Sequence, residues 1–218
     1  MSPTLRIIIP VYRDQPALSR LLPRLLEHWS PEEVLVVDAG DDGAADLAES
    51  MGIRTLRTPA DRKGRARQMN DGARAVPEAD LLLFLHADTF LPSAAREQLE
   101  TAYGDGVVGG AFSRRFDHPS LLLKCTCRIA DLRSKSLGWY YGDQAIYVRR
   151  DIFETLGGFP EQALFEDFDF SRKLKRQGKV RLLKPPVISH ARRFEAEGPW
   201  IRSWKDAALT LRHLCKRN

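Results

Sequence analysis

The amino-acid sequence predicts an α/β protein whose central sheet is mostly parallel. Short apolar runs alternate with segments in which apolar residues recur at helical spacing, and this alternation is typical of right-handed βαβ units. The run from Leu81 to Leu85 contains five large apolar residues in succession, which predicts a strand buried on both faces. A chain of 218 residues is long enough for one sizeable core and short for two. We therefore expect a single domain.

The first half of the chain supplies the most regular part of this pattern. Its predicted strands are residues 5–11, 34–37, 53–56, 81–85 and 107–112, and its predicted helices are residues 16–29, 44–51 and 93–103. The first helix rests on Leu18, Leu21, Leu22 and Leu25, which recur at the spacing of one helical face. Residues 61–75 form a basic segment with an apolar stripe between the third and fourth strands.

From about residue 114 the rhythm changes, and we expect a smaller second half that extends to about residue 195. It contains an amphipathic helix over residues 121–135, an aromatic stretch, a strand over 145–148, a helix that Asp151 caps and that ends at 157–158, and a helix over 165–177. Two short strands, 180–183 and 187–189, follow. An amphipathic helix over about residues 198–216, with Trp200 and Trp204 on one face, closes the chain.

Composition excludes several classes of protein. Apolar residues make up 43% and charged residues 29% of the sequence, as in ordinary globular domains, and no apolar run approaches the ~20 residues of a transmembrane helix. Because the N-terminus lacks the long apolar region of a secretory signal, we expect a cytoplasmic protein. The three cysteines have no paired, metal-binding spacing. A net charge of +5 suits an anionic ligand such as a nucleotide or a negatively charged membrane surface, and we expect no nucleic-acid partner.

Polar side chains that can bind metal follow two of the predicted strands. His86 and Asp88 come just after the fourth strand, and Asp38 follows the second. In open α/β sheets, ligands bind beyond the carboxyl ends of the strands. A carboxylate can hold a divalent ion that bridges phosphate oxygens, and neighbouring guanidinium groups can take the remaining charge. These positions, beside the basic segment, therefore suit a metal-bound diphosphate, although each residue alone is more often a turn or cap residue.

An ordered series of motifs resembles the family 2 glycosyltransferases with the GT-A fold. The series is Ile8-Ile9-Pro10-Val11-Tyr12, Val36-Val37-Asp38-Ala39-Gly40, Gly64-Arg65-Ala66-Arg67-Gln68-Met69-Asn70, His86-Ala87-Asp88 and Phe165-Glu166-Asp167, with Gly142-Asp143-Gln144 and Gly157-Gly158-Phe159 similar to the family's acceptor half. The resemblance covers roughly residues 4 to 195 and is greatest to the short, stand-alone bacterial members. It implies a Rossmann-like nucleotide-binding half over about residues 1–113 and a smaller acceptor-side half over about 114–195.

The resemblance also implies an activity, which is an inverting, metal-assisted transfer of a sugar from a UDP- or GDP-linked donor to an acceptor hydroxyl. Asp167 would be the general base, with Glu166 as its support. Asp88 would hold Mg²⁺ or Mn²⁺, while His86 and His190 are each either metal ligands or structural residues. The implied donor-binding residues are Pro10, Tyr12, Asp38, Lys63, Arg67 and Ala87, and the implied acceptor or diphosphate residues are Trp139, Asp143, Gln144 and Arg193.

Other interpretations stay open beside this one. Because His86 occupies the first position of the family's D-x-D motif, a catalytically degenerate protein that binds nucleotide or membrane is the alternative function. Trp139 can stack on a sugar or fill a core, and Arg193 can clamp a diphosphate or solvate a loop. The basic C-terminal helix suits core packing, a homodimer contact or the inner face of a membrane. A nucleotidyltransferase is disfavoured because the first strand is not followed by a glycine-rich loop.

Overall fold

The computed structural model describes residues 2–59, 64–162 and 164–190, and in these ranges helices pack around one eight-stranded sheet. The strands are β1 (Leu5–Val11), β2 (Val34–Asp38), β3 (Arg54–Arg57), β4 (Leu81–Phe84), β5 (Thr89–Phe90), β6 (Gly109–Phe116), β7 (Ile146–Arg149) and β8 (Val180–Ser189). The helices are α1 (Gln15–Leu26), α2 (Ala44–Ser50), α3 (Arg65–Ala75), α4 (Ala95–Gly104), α5 (Leu121–Leu137), α6 (Arg150–Thr155) and α7 (Glu166–Lys175). Lys63, Arg193 and the predicted C-terminal helix lie outside the described residues.

The sheet has the order β3-β2-β1-β4-β7-β6-β8-β5. Strands β3, β2, β1 and β4 are parallel neighbours, and β6 is parallel to β8. Strand β7 is antiparallel to both β4 and β6, and β5 is antiparallel to β8. The prediction of an α/β protein with a mostly parallel central sheet is therefore confirmed, and β7 joins the strands of the second half to those of the first.

Two details of the second half differ from the prediction. The expected strands 180–183 and 187–189 form one continuous strand, β8. Its pairing with β6 is irregular in the middle, where residues 184–186 lie opposite the single residue Ser113. This irregularity accommodates Pro185 and Pro186, which cannot donate to the ladder. Asp151 does not cap α6, because the chain passes directly from β7 into a helix that starts at Arg150, and Asp151 lies in its first turn.

The hydrophobic core lies on both faces of the sheet, as the apolar run in the fourth strand predicts. On one face, Leu81 and Leu83 of β4 pack with α1, α2 and α4, and on the other face Leu82 and Phe84 pack with α3, α6 and α7. All four of these side chains are buried. Among the described helices, none combines the length and the apolar character that a membrane crossing requires.

Helix α3 lies unusually close to the sheet. A Cβ atom at Gly72 would be 2.5 Å from Cγ2 of Ile8 in β1, so any larger residue here would force α3 or Ile8 to shift. The close approach brings the Gln68 side chain to the carboxyl ends of two strands, where Nε2 donates to the carbonyl oxygens of Val11 (2.7 Å) and Val37 (2.8 Å). The N-terminal turn of α3 is thereby fixed beside the edge of the sheet where ligands bind in such folds.

Candidate active site

A cavity of about 340 Å³ lies at the carboxyl ends of β1 and β4. It is lined by Pro10, Val11, Tyr12, Asp14, Gly64, Arg65, Gln68, His86, Ala87 and Asp88. The predicted donor and metal residues Pro10, Tyr12, His86, Ala87 and Asp88 are thus brought together from two distant segments of the chain. The volume falls in the lower part of the range that is common for small-molecule sites.

A second, narrow hollow adjoins the first and has no room for a water molecule. Arg65 and His86 line both hollows, and Gly142 and Asp167 line the second. A Cβ atom at Gly142 would lie 2.6 Å from His86 Nε2 and 3.2 Å from Asp167 Oδ2, so these two side chains flank the glycine on the same side. Asp88 and Asp167 therefore lie in neighbouring hollows that share two walls.

Asp167 sits in the first turn of α7 and is almost completely buried. Its Oδ2 accepts a hydrogen bond from the Gly142 N–H (2.5 Å) and its Oδ1 accepts one from the Phe168 N–H (2.7 Å). Burial raises the pKa of Asp167 to about 6, against the lowering effect of the Arg65 charge and with a further raising effect from Glu166. A carboxyl group with this pKa is ionised at neutral pH and can still take up a proton readily, which suits a general base.

The turn before α7 positions the acidic pair. Phe165 has φ 66°, a left-handed conformation that is uncommon for an aromatic residue, and it directs the chain so that Glu166 and Asp167 enter the first helical turn. Glu166 is 1% exposed, and its Oε1 accepts a hydrogen bond of 2.5 Å from Nε of Arg65. Burial lowers the pKa of the Arg65 guanidinium, but the charges of Glu166 and Asp167 outweigh this effect and the net shift is upward.

Arg65 is the site residue that the sequence analysis did not single out. Residues 65 and 67 are about 200° apart on a helix, so two such side chains lie on opposite sides of it. Arg67 points away from the cavity and its Nε pairs with Oε2 of Glu161 at 2.8 Å, whereas Arg65 lines both hollows. The sequence does contain a signal for this: Arg65 precedes Met69 by four residues, and Met69 belongs to the apolar stripe of α3, so Arg65 is expected on the same side of the helix. Arg65 therefore lines the cavity and Arg67 does not, and the nucleotide contact that the resemblance assigned to Arg67 stays a prediction.

Asp38 has a structural role in the described residues. Its carboxylate is buried and accepts hydrogen bonds from the N–H groups of Gly40 (2.8 Å) and Ala45 (3.1 Å). These bonds close the turn between β2 and α2, and Asp38 is not among the residues that line the cavity. A contact between Asp38 and a nucleotide stays a prediction.

The aromatic and polar residues before β7 hold Gly142 in place. Gln144 is 1% exposed, and its Oε1 accepts a hydrogen bond of 3.1 Å from the Tyr141 N–H while Nε2 donates to the Phe112 carbonyl at 3.3 Å. Asp143 pairs with Arg114. Trp139 packs edge-on against Phe168, with the ring centroids 5.1 Å apart. These contacts are structural, and the predicted acceptor contacts of the same residues remain untested.

The Gly157-Gly158-Phe159 motif is fixed by a residue of α3. Asn70 donates from Nδ2 to the Phe159 carbonyl (2.9 Å) and accepts from the Phe159 N–H through Oδ1 (2.8 Å). A Cβ atom at Gly158, which has φ +77°, would lie 2.6 Å from Oδ1 of Asn70. The motif therefore forms part of the wall beside Asp167, because Phe159 itself lines the second hollow.

The predicted metal residues supply few ligands by themselves. Within the part of the chain that the structure describes, no three His, Cys, Asp or Glu side chains are grouped so that they could hold an ion. Asp88 and His86 line the cavity, whereas His190 donates its backbone N–H to the Asp88 carbonyl (3.1 Å) and places Nδ1 3.5 Å from Oδ2 of Asp117. This donor set fits Mg²⁺ or Mn²⁺ that is bound by one carboxylate together with substrate phosphates.

Fold and site together define an α/β protein of the GT-A type, with a ligand cavity at the carboxyl ends of parallel strands and an acidic pair beside it. The chain belongs to the glycosyl transferase family 2, whose model matches residues 6–165. The resemblance noted in the sequence is thereby confirmed, and the protein is a glycosyltransferase of this family.

Three known proteins illustrate the similarity. The O-antigen chain rhamnosyltransferase RfbN of Salmonella typhimurium is 22% identical over 233 residues, covering 90% of this chain and 74% of that protein. A mannosyltransferase of Pyrobaculum calidifontis, solved with GDP-Man and Mn²⁺, superimposes with a TM-score of 0.65 at 22% identity over 87% of this chain and 57% of that one. Glucosyl-3-phosphoglycerate synthase of Mycobacterium tuberculosis, solved with Mn²⁺, UDP and phosphoglyceric acid, gives a TM-score of 0.57 at 14% identity over 84% and 72% of the two chains. The two structures share the fold with this chain.

Proposed function

We propose that this protein transfers a sugar from a nucleotide-diphosphate sugar to an acceptor hydroxyl with inversion at the anomeric carbon, and that Asp167 is the general base. The observation that carries the proposal is the pair of adjoining hollows, in which Arg65 and His86 form walls common to the Asp88 cavity and the Asp167 hollow. A single displacement needs a base and a leaving-group site that are close together and distinct. We infer that Asp167 and the Asp88 cavity fill these two roles.

The larger cavity is the proposed donor site. Tyr12, which is 44% exposed, and Pro10 offer apolar surface for a base, and Arg65 offers a cation for the diphosphate. Asp88, with or without His86, would hold the divalent ion, which when bound offsets the negative charge of the departing diphosphate. The choice of a UDP- or GDP-linked donor with Mg²⁺ or Mn²⁺ agrees with the GDP-Man, UDP and Mn²⁺ found in the structurally similar enzymes.

The proposed reaction is one displacement. The acceptor oxygen bonds to the anomeric carbon while the bond from that carbon to the diphosphate oxygen breaks, and Asp167 takes the proton of the acceptor hydroxyl. Its carboxylate has about four acceptor positions. Two of these positions are occupied by the N–H groups of Gly142 and Phe168, so a hydroxyl can be accepted as well. The hollow is too narrow for a water molecule, so the proposal requires the segment that carries Gly142 to shift outward before the acceptor enters.

A donor panel with Mn²⁺ tests the proposal. Nucleoside diphosphate release from one or more UDP- or GDP-linked sugars is the expected result, and Asp88→Asn is expected to weaken the Mn²⁺-dependent part of donor affinity in calorimetry. Asp151→Asn, which removes the same charge from an exposed position, is the matched control. Nucleotide binding without turnover on any donor and acceptor would establish the degenerate alternative instead.

A further inference from the structure

Helix α5 has two apolar faces, of which one packs inward and one points away from the protein. Its inward face is formed by Leu123, Cys127, Ala130 and Ser134, all of which are buried. Leu121 is 76% exposed, and Ile129 and Leu132 are each 67% exposed. Cys125 is exposed as well. These exposed apolar side chains do not take part in the inward packing of the helix, so the core does not explain them.

The exposed apolar side chains form one continuous stripe. With about 100° per residue, positions 121, 125, 129 and 132 fall within a sector of about 80°, and the buried positions lie on the opposite side of the helix. A helix that packs on one side normally presents a polar surface on the other. The stripe is therefore a candidate contact surface, in the sense that contiguous exposed apolar residues mark such surfaces.

Charge along the stripe has one sign. Lys124, Arg128 and Lys135 are exposed and lie in a row along one edge of the stripe. The acidic residue of α5, Asp131, is turned inward, where its Oδ2 accepts a hydrogen bond of 3.0 Å from Ser113 Oγ and lies 3.4 Å from Nη1 of Arg115. The outward surface of α5 therefore combines apolar residues with cations and carries no carboxylate.

We propose that the outward face of α5 binds an anionic lipid membrane as a peripheral surface helix. An apolar stripe edged by lysine and arginine is the arrangement that inserts at the boundary of headgroups and acyl chains, where anionic lipids attract the cations. A second copy of the chain is a poorer partner, because its α5 offers no carboxylate to these cations and an antiparallel twofold contact would bring two rows of like charge together. The membrane supplies both the apolar layer and the opposite charge.

The inward face of the same helix contacts the acceptor side of the active site. Oγ of Ser134 donates to the Trp139 carbonyl (3.1 Å), and the Arg133 guanidinium lies over the Tyr141 ring at 4.2 Å. Gly142, the neighbour of Asp167, follows directly. A protein bound through α5 would hold this side, which the proposed function assigns to the acceptor, about one helix diameter (~10–12 Å) from the lipid surface.

Vesicle cosedimentation of the full-length protein tests this surface. We expect binding to vesicles of phosphatidylcholine with phosphatidylserine, weaker binding at high salt, and little binding to phosphatidylcholine alone. Lys124→Gln/Arg128→Gln/Lys135→Gln is expected to weaken binding about a hundredfold, since each cation near an anionic surface contributes about fivefold. Ile129→Gln/Leu132→Gln is expected to weaken it about tenfold per residue, with the salt dependence retained.

A charge-matched control removes three exposed arginines from elsewhere, in Arg20→Gln/Arg24→Gln/Arg54→Gln. These lie on α1 and β3, whereas α5 packs on β6 and β8, and the control is expected to bind nearly as the unchanged protein does. All variants keep residues 191–218, so any binding by that segment is the same in each.

Three results would overturn the proposal. The first is equal binding by the α5 variants and the arginine control. The second is a large fall in the melting temperature of Ile129→Gln/Leu132→Gln, which would mean that the chain itself covers the stripe. The third is an unchanged protein that is dimeric and an apolar variant that is monomeric, which would assign the stripe to a second copy.

Discussion

The pH dependence of turnover is the most direct test of Asp167 as the general base. A pKa of about 6 means that Asp167 is about 90% ionised at pH 7 and about 10% ionised at pH 5. Because the base acts in its ionised form, kcat/KM is expected to fall about tenfold per pH unit below pH 6. An aspartate at the ordinary value of 3.8 would keep over about 90% of its activity at pH 5 and about 60% at pH 4.

The assay is the initial rate of nucleoside diphosphate release, at donor concentrations below KM and with Mn²⁺ saturating throughout the pH range. Asp167→Asn is expected to lower the rate by about 10²–10⁴-fold and to abolish the acid limb of the profile. Asp169→Asn is the matched control, because Asp169 lies on the same helix and its carboxylate accepts a hydrogen bond of 2.8 Å from Gln162. It is expected to retain the limb.

A substitution of Arg65 gives a second, independent test with the same pH profile. Its positive charge lowers the pKa of Asp167, so Arg65→Gln is expected to move the acid limb to higher pH. An acid limb near pH 4 in the unchanged protein would refute the reasoning, as would a limb near pH 6 that persists in the residual activity of Asp167→Asn.

Three further predictions concern helix α3. Arg65→Gln is expected to reduce kcat/KM at neutral pH about a hundredfold, whereas Arg67→Gln, which removes the same charge from the other side of the helix, changes it at most about threefold; equal losses would place Arg67 at the donor. Gly72→Ala is expected to lower the free energy of unfolding by about 1–3 kcal/mol in urea titrations. Gly104→Ala, at a helical glycine with open space around it, is the control, and its stability should be unchanged or raised by about 0.5–1 kcal/mol. Asn70→Ala is expected to cost about 2–4 kcal/mol by the same measurement, because it leaves a buried N–H and a buried carbonyl without their partner. Asn70→Asp should cost at least as much, because it replaces the Nδ2 donor with a buried carboxylate oxygen that faces the Phe159 carbonyl.

The sequence was sufficient for most of the first half, because β1 to β4 and β6 each carry their own local signal, whereas the two-residue strand β5 was not predicted. The apolar run from Leu81 predicted β4, and helical spacing of leucines predicted α1. The antiparallel placement of β7 could not be predicted in the same way. Residues 145–148 form an apolar run that suits either direction, and the direction is set by long-range pairing with β4 and β6.

Site residues were predictable where a strand end fixed them. Pro10 is the penultimate residue of β1, Tyr12 follows β1, and His86 and Asp88 follow β4. The parallel pairing of these strands brings them to one cavity. The placement of Arg65 in the cavity was harder to predict, because Arg65 and Arg67 look equivalent in sequence and differ only in which side of the helix they occupy. That side depends on Gly72, whose missing side chain allows α3 to approach Ile8.

Helix α3 is the element that connects the proposed donor cavity to the acidic pair Glu166 and Asp167. Three residues within about two turns of α3 form hydrogen bonds to separate parts of the chain. Gln68 binds the ends of β1 and β2, Asn70 binds Phe159, and Arg65 binds Glu166 at the N-terminus of α7. These three contacts point to three different parts of the chain, so a displacement of α3 would move the donor cavity and the acidic pair together. In the proposed reaction the rate depends on the position of the base relative to the anomeric carbon, so we expect changes in α3 to affect turnover through the spacing between the two hollows.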